Sequence, residues 1–165
     1  MKKILLSLCI VLSLQAKSQV HSAMPPEANE FFDKAMPLIN PSVKNLITQS
    51  AITLKNRHTN ADSLFSALRS NRLLKAMNDE NIAGITTLVM VQASKNADED
   101  LKKMVLSMKN DNAAAQAGNN HEEANDKKQL ALQLILNRKS NMAEEISLVL
   151  KKIPQDKDNI INSLK

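Results

Sequence analysis

The sequence predicts an all-α fold, a helical bundle of four to five helices built on a long antiparallel helical hairpin. The 165 residues are 43% apolar and 24% charged, a composition typical of one globular domain. From Ser42 to Ile153 the sequence contains no proline, and its glycines there are Gly84 and Gly118. Apolar and polar residues do not alternate over more than a few positions, so the pattern favours helices over strands.

Residues 1–18 have the pattern of a secretory signal peptide. Two lysines near the start precede an apolar run from Ile4 to Leu14, and the small residues Ala16 and Ser18 follow it. We expect cleavage after Ser18 or after Ala16, which leaves residues 19–165 as a single all-helical domain. Because a membrane-spanning helix needs about 20 apolar residues, the run favours a removed signal over an anchor, and no membrane span is expected afterwards.

The same segment resembles the export signals of envelope proteins in Gram-negative bacteria, which implies a periplasmic or secreted protein. The single cysteine, Cys9, lies in the middle of the apolar run instead of at its end, so a lipid anchor is not expected. Once the signal is removed, the domain has no cysteine with which to form a disulfide. Its stability must therefore come from packing.

Prolines and asparagines predict where the N-terminal helices begin. Pro25-Pro26 precedes acidic residues, and Asn40-Pro41 combines an N-cap with a first-turn proline. We expect one helix up to about Met36 and a second helix that ends before residues 56–60. A short third helix is predicted around Leu64, Phe65 and Leu68.

Two long helices are expected to form the hairpin. Asn78, followed by two acidic residues, predicts the start of a helix that continues toward Gly118, and the next helix extends from about Asn120 to Ile153. Apolar positions of the second helix repeat at alternating spacings of three and four, as in a heptad seam with one defect at Lys139. The seam positions are Leu132, Ile135, Lys139, Met142, Ile146, Val149 and Ile153.

The register of the hairpin follows if the chain reverses at Gly118 to Asn120. Facing residues should then have numbers that add up to about 238, and several pairs combine a small with a large side chain. The expected pairs are Ile85 with Ile153, Val89 with Val149, Ala93 with Ile146, Ala97 with Met142 and Val105 with Leu132. The stretch from Asn110 to Gln129 contains no apolar residue larger than alanine, which predicts a polar hairpin tip.

Leu130, Leu134 and Leu148 lie on the side of the last long helix opposite this seam. One interpretation is that this second apolar face covers the N-terminal helices, which we expect for Leu148 because it is level with the start of the central helix. The other interpretation is that the three leucines bind a partner or a second copy of the chain. Because burying a leucine side chain contributes about 1.5 to 3 kcal/mol, something should cover at least two of them.

Charge and residue types argue against several functions. Removing the signal takes the count of Lys and Arg from 22 to 19 against 17 acidic residues, so the net charge falls to about +2 and nucleic-acid binding is not expected. His21, His58 and His121 lack the neighbouring ligands of known helical metal sites, so no metal or cofactor is predicted. None is expected to lie buried beside a hydroxyl, so we expect no enzyme.

The sequence therefore predicts an exported helical module of the bacterial cell envelope that binds protein or assembles with itself, without catalysis. A periplasmic holdase-like chaperone is an alternative, because seven of the eight methionines remain after signal removal and the hairpin tip is polar. A small helical enzyme or metal carrier is a further alternative, indicated by the cluster of His121, Glu122 and Glu123.

Overall fold

The computed structural model describes residues 24–56, 60–115, 122–153 and 157–165 of the chain. Within these ranges it contains six α-helices, one 3-10 turn and no β-strand, so the predicted all-α fold is confirmed. The elements are α1 (Pro26–Ala35), α2 (Pro41–Asn56), α3 (Ala61–Arg69), the 3-10 turn (Arg72–Leu74), α4 (Asp79–Ala115), α5 (Glu122–Leu150) and α6 (Asp158–Ser163). The predicted signal peptide, the centre of the hairpin tip and the three histidines lie outside the described residues.

Asparagine side chains cap the starts of α2, α3, the 3-10 turn and α4. The Oδ1 atoms of Asn40, Asn60, Asn71 and Asn78 accept hydrogen bonds at 2.8–2.9 Å from the backbone N–H groups of Ser42, Ser63, Leu73 and Asn81. Each cap satisfies a donor that the first turn of a helix leaves without a partner inside the helix. The caps predicted at Asn40 and Asn78 are confirmed. Asn60 caps the start of α3, the helix that follows the predicted break.

The N-terminal half of α4 forms the centre of the bundle. Every residue from Ile82 to Val91 is buried, so this part of the helix is covered on all sides. Helices α1, α2, α3, α5 and α6 all contact α4. The hydroxyls of Thr86 and Thr87 donate to the carbonyl oxygens of Ile82 and Ala83, so both buried hydroxyls are hydrogen-bonded.

Helices α4 and α5 form the predicted antiparallel hairpin. Lys139 Nζ donates to Asp98 Oδ1, and Lys128 Nζ donates to Ser107 Oγ at 2.8 Å. The residue numbers of these partners add up to 237 and 235, which fits the predicted register. The apparent defect in the seam, Lys139, is therefore the ion-pair partner of a carboxylate on the facing helix. On both sides of the hairpin the seam is buried near the bundle, at Ile85, Val89, Ala93, Ala97, Met142, Ile146, Val149 and Ile153.

A short C-terminal helix, α6, adds to the bundle a layer that the sequence analysis did not predict. Its Ile160 and Ile161 are buried, as is Leu164 after it. A Cβ atom at Gly84 would lie only 2.6 Å from Ile160 Cγ2. The missing side chain at Gly84 therefore creates the notch in α4 that Ile160 fills.

Polar contacts hold α6 against the N-terminal helices. The backbone N–H of Asn40 donates to the carbonyl oxygen of Leu164 at 2.8 Å. Lys34 Nζ lies 3.1 Å from Asp158 Oδ1, and Lys157 Nζ lies 3.6 Å from Glu27 Oε2. Because the Lys34–Asp158 pair and the carboxylate of Glu27 are largely exposed, the buried isoleucines contribute more to the docking of α6 than the charges do.

We predict that Gly84→Ala destabilises the protein, although alanine favours a helix over glycine by about 1 kcal/mol. The new Cβ would overlap Ile160 Cγ2, and overpacking of a core costs about 1 to 3 kcal/mol. Urea unfolding measures the change in the free energy of unfolding. In an Ile160→Ala background the overlap is gone, so the same change should become neutral or stabilising. An equal loss in both backgrounds would contradict the contact.

We predict that Lys139→Leu leaves the stability of the protein unchanged or raises it. The ion pair with Asp98 is partly exposed, and such pairs contribute about 0.2 to 1 kcal/mol, whereas a leucine would continue the apolar seam. Asp98→Asn is the control, because it removes the pair without adding apolar surface and should cost no more than about 1 kcal/mol. Thermal melts that show Lys139→Leu to be the more damaging change would refute this account of the seam.

Candidate functional site

The three leucines that the sequence analysis singled out as a binding face are exposed. Leu130 and Leu134 are each 59% exposed, and Leu148 is 58% exposed. The interpretation that the N-terminal helices cover this face is therefore wrong, including for Leu148. The physical reason is that α1, α2 and α3 pack mainly against α4, whose N-terminal half is surrounded on every side.

Helix α3 meets α5 beside Leu148 and does not cover it. Glu145 Oε2 accepts a hydrogen bond from the backbone N–H of Ala61 at 2.6 Å, which caps α3 with a carboxylate from another helix. Lys152 Nζ lies 3.4 Å from Asp62 Oδ1. Sequence analysis missed the role of Glu145, because nothing local distinguishes it from any other acidic residue on a helix.

The three leucines lie on one stripe of α5, opposite the seam, and polar residues on that stripe separate them into two groups. Between Leu134 and Leu148 the same stripe carries Asn137, Asn141 and Glu144, all exposed. Fourteen residues of helix separate the two leucines by about 21 Å. Leu130 and Leu134, one turn apart, therefore form a local apolar pair, and Leu148 stands alone.

The pair lies on a two-helix extension of the bundle, formed by residues 98–115 and 122–141 and called the arm below. Among its described side chains, at 98–110 and 126–141, none is buried. The last buried residues on the two helices are Ala97 and Met142. From there α4 continues for 18 residues, or about 27 Å at 1.5 Å per residue.

The arm nevertheless carries many large apolar residues. Six are half-buried, namely Leu101, Met104, Met108, Leu132, Ile135 and Leu136. Four are exposed, namely Val105, Leu106, Leu130 and Leu134. In the arm, α5 contacts α4 at Lys128 and Ser107, and a single layer of two helices cannot enclose a core. The arm therefore leaves apolar surface in water over its described length.

Val105 departs from the expected hairpin packing. It was predicted to face Leu132 across the seam, but its side chain is 52% exposed. Met104 and Met108 are the more buried residues on this part of α4. The seam residues are buried where other helices surround the hairpin and not along the arm, although the Lys128–Ser107 contact there still fits the predicted register.

Two of the shallow cavities of the bundle are lined by described residues. One, of about 250 Å³, lies between α1 and α6 and is lined by Glu27, Glu30, Phe31, Lys34, Lys157, Asp158 and Ile161. The other, of about 270 Å³, is lined by Ala61, Asp62, Phe65, Ser66, Ala83, Val149 and Lys152. Both are smaller than the usual ligand pocket of about 300 to 1,000 Å³. Ion pairs between helices join six of the charged residues that line them, namely Lys34 with Asp158, Lys157 with Glu27 and Lys152 with Asp62.

The described part of the chain contains neither a cluster of metal-ligating side chains nor a membrane-spanning helix. No three or more His, Cys, Asp or Glu residues there are grouped so that they could hold a metal ion. The cluster of His121, Glu122 and Glu123 was the one metal candidate in the sequence, and its side chains lie outside the described residues. None of the described helices combines the length and the apolar character needed to cross a membrane.

No protein-family model, curated protein sequence or solved structure matches the chain. Among the described surfaces, the exposed apolar residues of the arm are the feature that indicates a function.

We predict that changing Leu130, Leu134 and Leu148 together to serine leaves the thermal melt almost unchanged. Each side chain is more than half exposed, and because an exposed substitution usually changes stability by no more than about 0.5 kcal/mol, the three together should cost no more than about 1.5 kcal/mol. Ile146→Ala, two residues from Leu148 but fully buried, is the control and should cost about 2 to 5 kcal/mol. Circular dichroism melts measure both. A comparable loss in the triple variant would mean that the bundle covers the leucines after all.

Proposed function

We propose that this protein is an exported, non-catalytic module of the bacterial cell envelope that works by binding protein through its arm. One observation carries the proposal: the arm extends about 27 Å beyond the last buried residues and exposes Leu130 and Leu134 on its outer side. Apolar side chains gathered on the surface of a well-packed bundle are typical of an interaction site.

Leu130 and Leu134 supply the binding energy in this proposal. They lie one turn apart on α5, about 40° from each other around the helix axis, so one apolar groove or one partner helix covers both. Full burial of a leucine contributes about 1.5 to 3 kcal/mol. Covering the exposed 59% of each gives roughly 2 to 3.5 kcal/mol, which is about a 30- to 400-fold change in Kd.

Export is part of the proposal because residues 1–18 have the pattern of a signal peptide. The single cysteine, Cys9, belongs to that segment. The exported domain therefore has no disulfide, and its fold does not depend on the redox state of its compartment.

A holdase-like chaperone is the second candidate function, favoured by the methionines of the arm. Met104 and Met108 are half-buried beside the open seam, and methionine adapts its shape to varied apolar partners. An aggregation assay separates the two functions. A holdase suppresses the aggregation of unrelated unfolded proteins, whereas a specific binding module leaves it unchanged.

Photo-crosslinking in the cell tests the proposed binding site. A photoreactive phenylalanine analogue replaces Leu134 in the full chain, and a matched variant carries it at Leu148, which is equally exposed on the same helix but outside the arm. We expect a light-dependent adduct of defined mass from position 134 and none from position 148. The control is important because a photoreactive residue at any exposed position can form adducts with proteins that it meets by chance.

Adducts of equal yield from both positions would contradict the arm as the binding element, as would the absence of adducts at both. Introducing Leu130→Ser into the Leu134 probe variant should lower the yield of the specific adduct several-fold, because half of the apolar pair is then lost. Thermal melts of all variants verify that the bundle remains folded.

A further inference from the structure

We propose that Met104 and Met108 form an oxidation site, at which a peroxide converts both thioethers to sulfoxides and loosens the packing of α4 against α5 in the arm. The two residues lie one turn apart on α4. This inference concerns the state of the arm itself and does not depend on what the arm binds.

Exposure distinguishes these two methionines from the others in the described part of the chain. Three of the seven described methionines are buried in the bundle, with exposed fractions of 1–9%, namely Met36, Met90 and Met142. Two more, Met24 and Met77, are half-buried and pack against the core of the bundle. Met104 and Met108 are half-buried in the arm, where no described side chain at 98–110 or 126–141 is buried. Peroxide therefore reaches their sulfur atoms while the bundle stays folded.

Both methionines lie on the face of α4 that packs against α5. Between residues 101 and 110 the half-buried residues of α4 are Leu101, Met104, Ser107 and Met108, and this spacing of three and four belongs to one helix face. Ser107, between the two methionines, accepts a hydrogen bond at 2.8 Å from Lys128 Nζ of α5. Two of the three large apolar residues half-buried on this stretch are methionines. The apolar packing there therefore depends mainly on their side chains.

The chemistry at each sulfur is a two-electron oxidation. A lone pair of the sulfur attacks the hydroxyl oxygen of the peroxide, so that an S–O bond forms and the O–O bond breaks. The other oxygen takes the proton of that hydroxyl and leaves as water from hydrogen peroxide, or as an alcohol from an organic peroxide. The product is methionine sulfoxide, whose side chain is polar where the thioether was apolar.

Sulfoxides on this face weaken the arm and spare the bundle. A sulfoxide oxygen needs water or a hydrogen-bond donor, so its burial between apolar side chains is unfavourable. In the arm the two helices pack as a single layer, which cannot enclose a core around the modified residues. The bundle keeps its own core, which contains the buried Met90 and Met142. We therefore expect oxidation to open the arm while the bundle stays folded.

Peptide mass spectrometry after treatment with hydrogen peroxide tests the selectivity of the site. In a full chain that carries Cys9→Ser, no thiol competes for the oxidant. Met104 and Met108 should be oxidised at least about tenfold faster than the buried Met90 and Met142, because reactivity follows exposure. In concentrated urea the four residues should react at equal rates, because unfolding exposes them all. Equal rates in the folded chain would overturn the inference.

Hydrogen exchange of the oxidised chain tests the effect on the arm. Amides of residues 98–110 and 126–141 should exchange at least about threefold faster after oxidation, whereas those of residues 82–91 should not change. Treatment with methionine sulfoxide reductases should restore the original rates, because these enzymes return the sulfoxide to the thioether. Arm amides that exchange equally before and after oxidation would contradict the proposed loosening.

The matched control is the chain with Met104→Leu and Met108→Leu. Leucine keeps the apolar character and nearly the volume of methionine but has no sulfur atom, so the variant should fold like the unmodified chain. Its remaining half-buried methionines, Met24 and Met77, are still open to oxidation. We expect peroxide to leave the exchange of its arm unchanged. An arm that loosens in this variant as much as in the unmodified chain would overturn the assignment of the site.

Discussion

The length of α4 determines which parts of this protein can be buried. Its first half is surrounded by five other helices, and every residue from Ile82 to Val91 is buried. Beyond Ala97 the described helix continues to Ala115 with α5 as its neighbour and no buried side chain described. The hydrophobic effect stabilises the first half within one chain. In the second half, the same effect favours association with another molecule.

The ion pair between Lys139 and Asp98 marks the boundary between the two halves. On the bundle side, Ala97 and Met142 are buried, and on the arm side the described residues are half-buried or exposed. A partly exposed ion pair at this position costs little desolvation free energy, because water still reaches both charged groups. The change from a buried to a half-exposed seam therefore occurs where the surrounding helices end.

The helix starts and the hairpin register depend on residues that are close in sequence, and these features could be predicted. Proline and asparagine predicted the starts of α1, α2 and α4, and the three-four spacing predicted the hairpin and its register. Contacts distant in sequence were not predictable in the same way. The docking of Ile160 depends on a notch at Gly84, 76 residues earlier. Apolar periodicity identified the face with Leu130 and Leu148, but it does not specify which helices lie over that face.

Hydrogen exchange of the full chain tests the central claim, that the arm lacks the cover that the bundle has. At about 1 µM, amides of residues 98–110 and 126–141 should exchange at least roughly 100-fold faster than those of residues 82–91, because only two helices support the arm. Equal protection of arm and bundle would contradict the account.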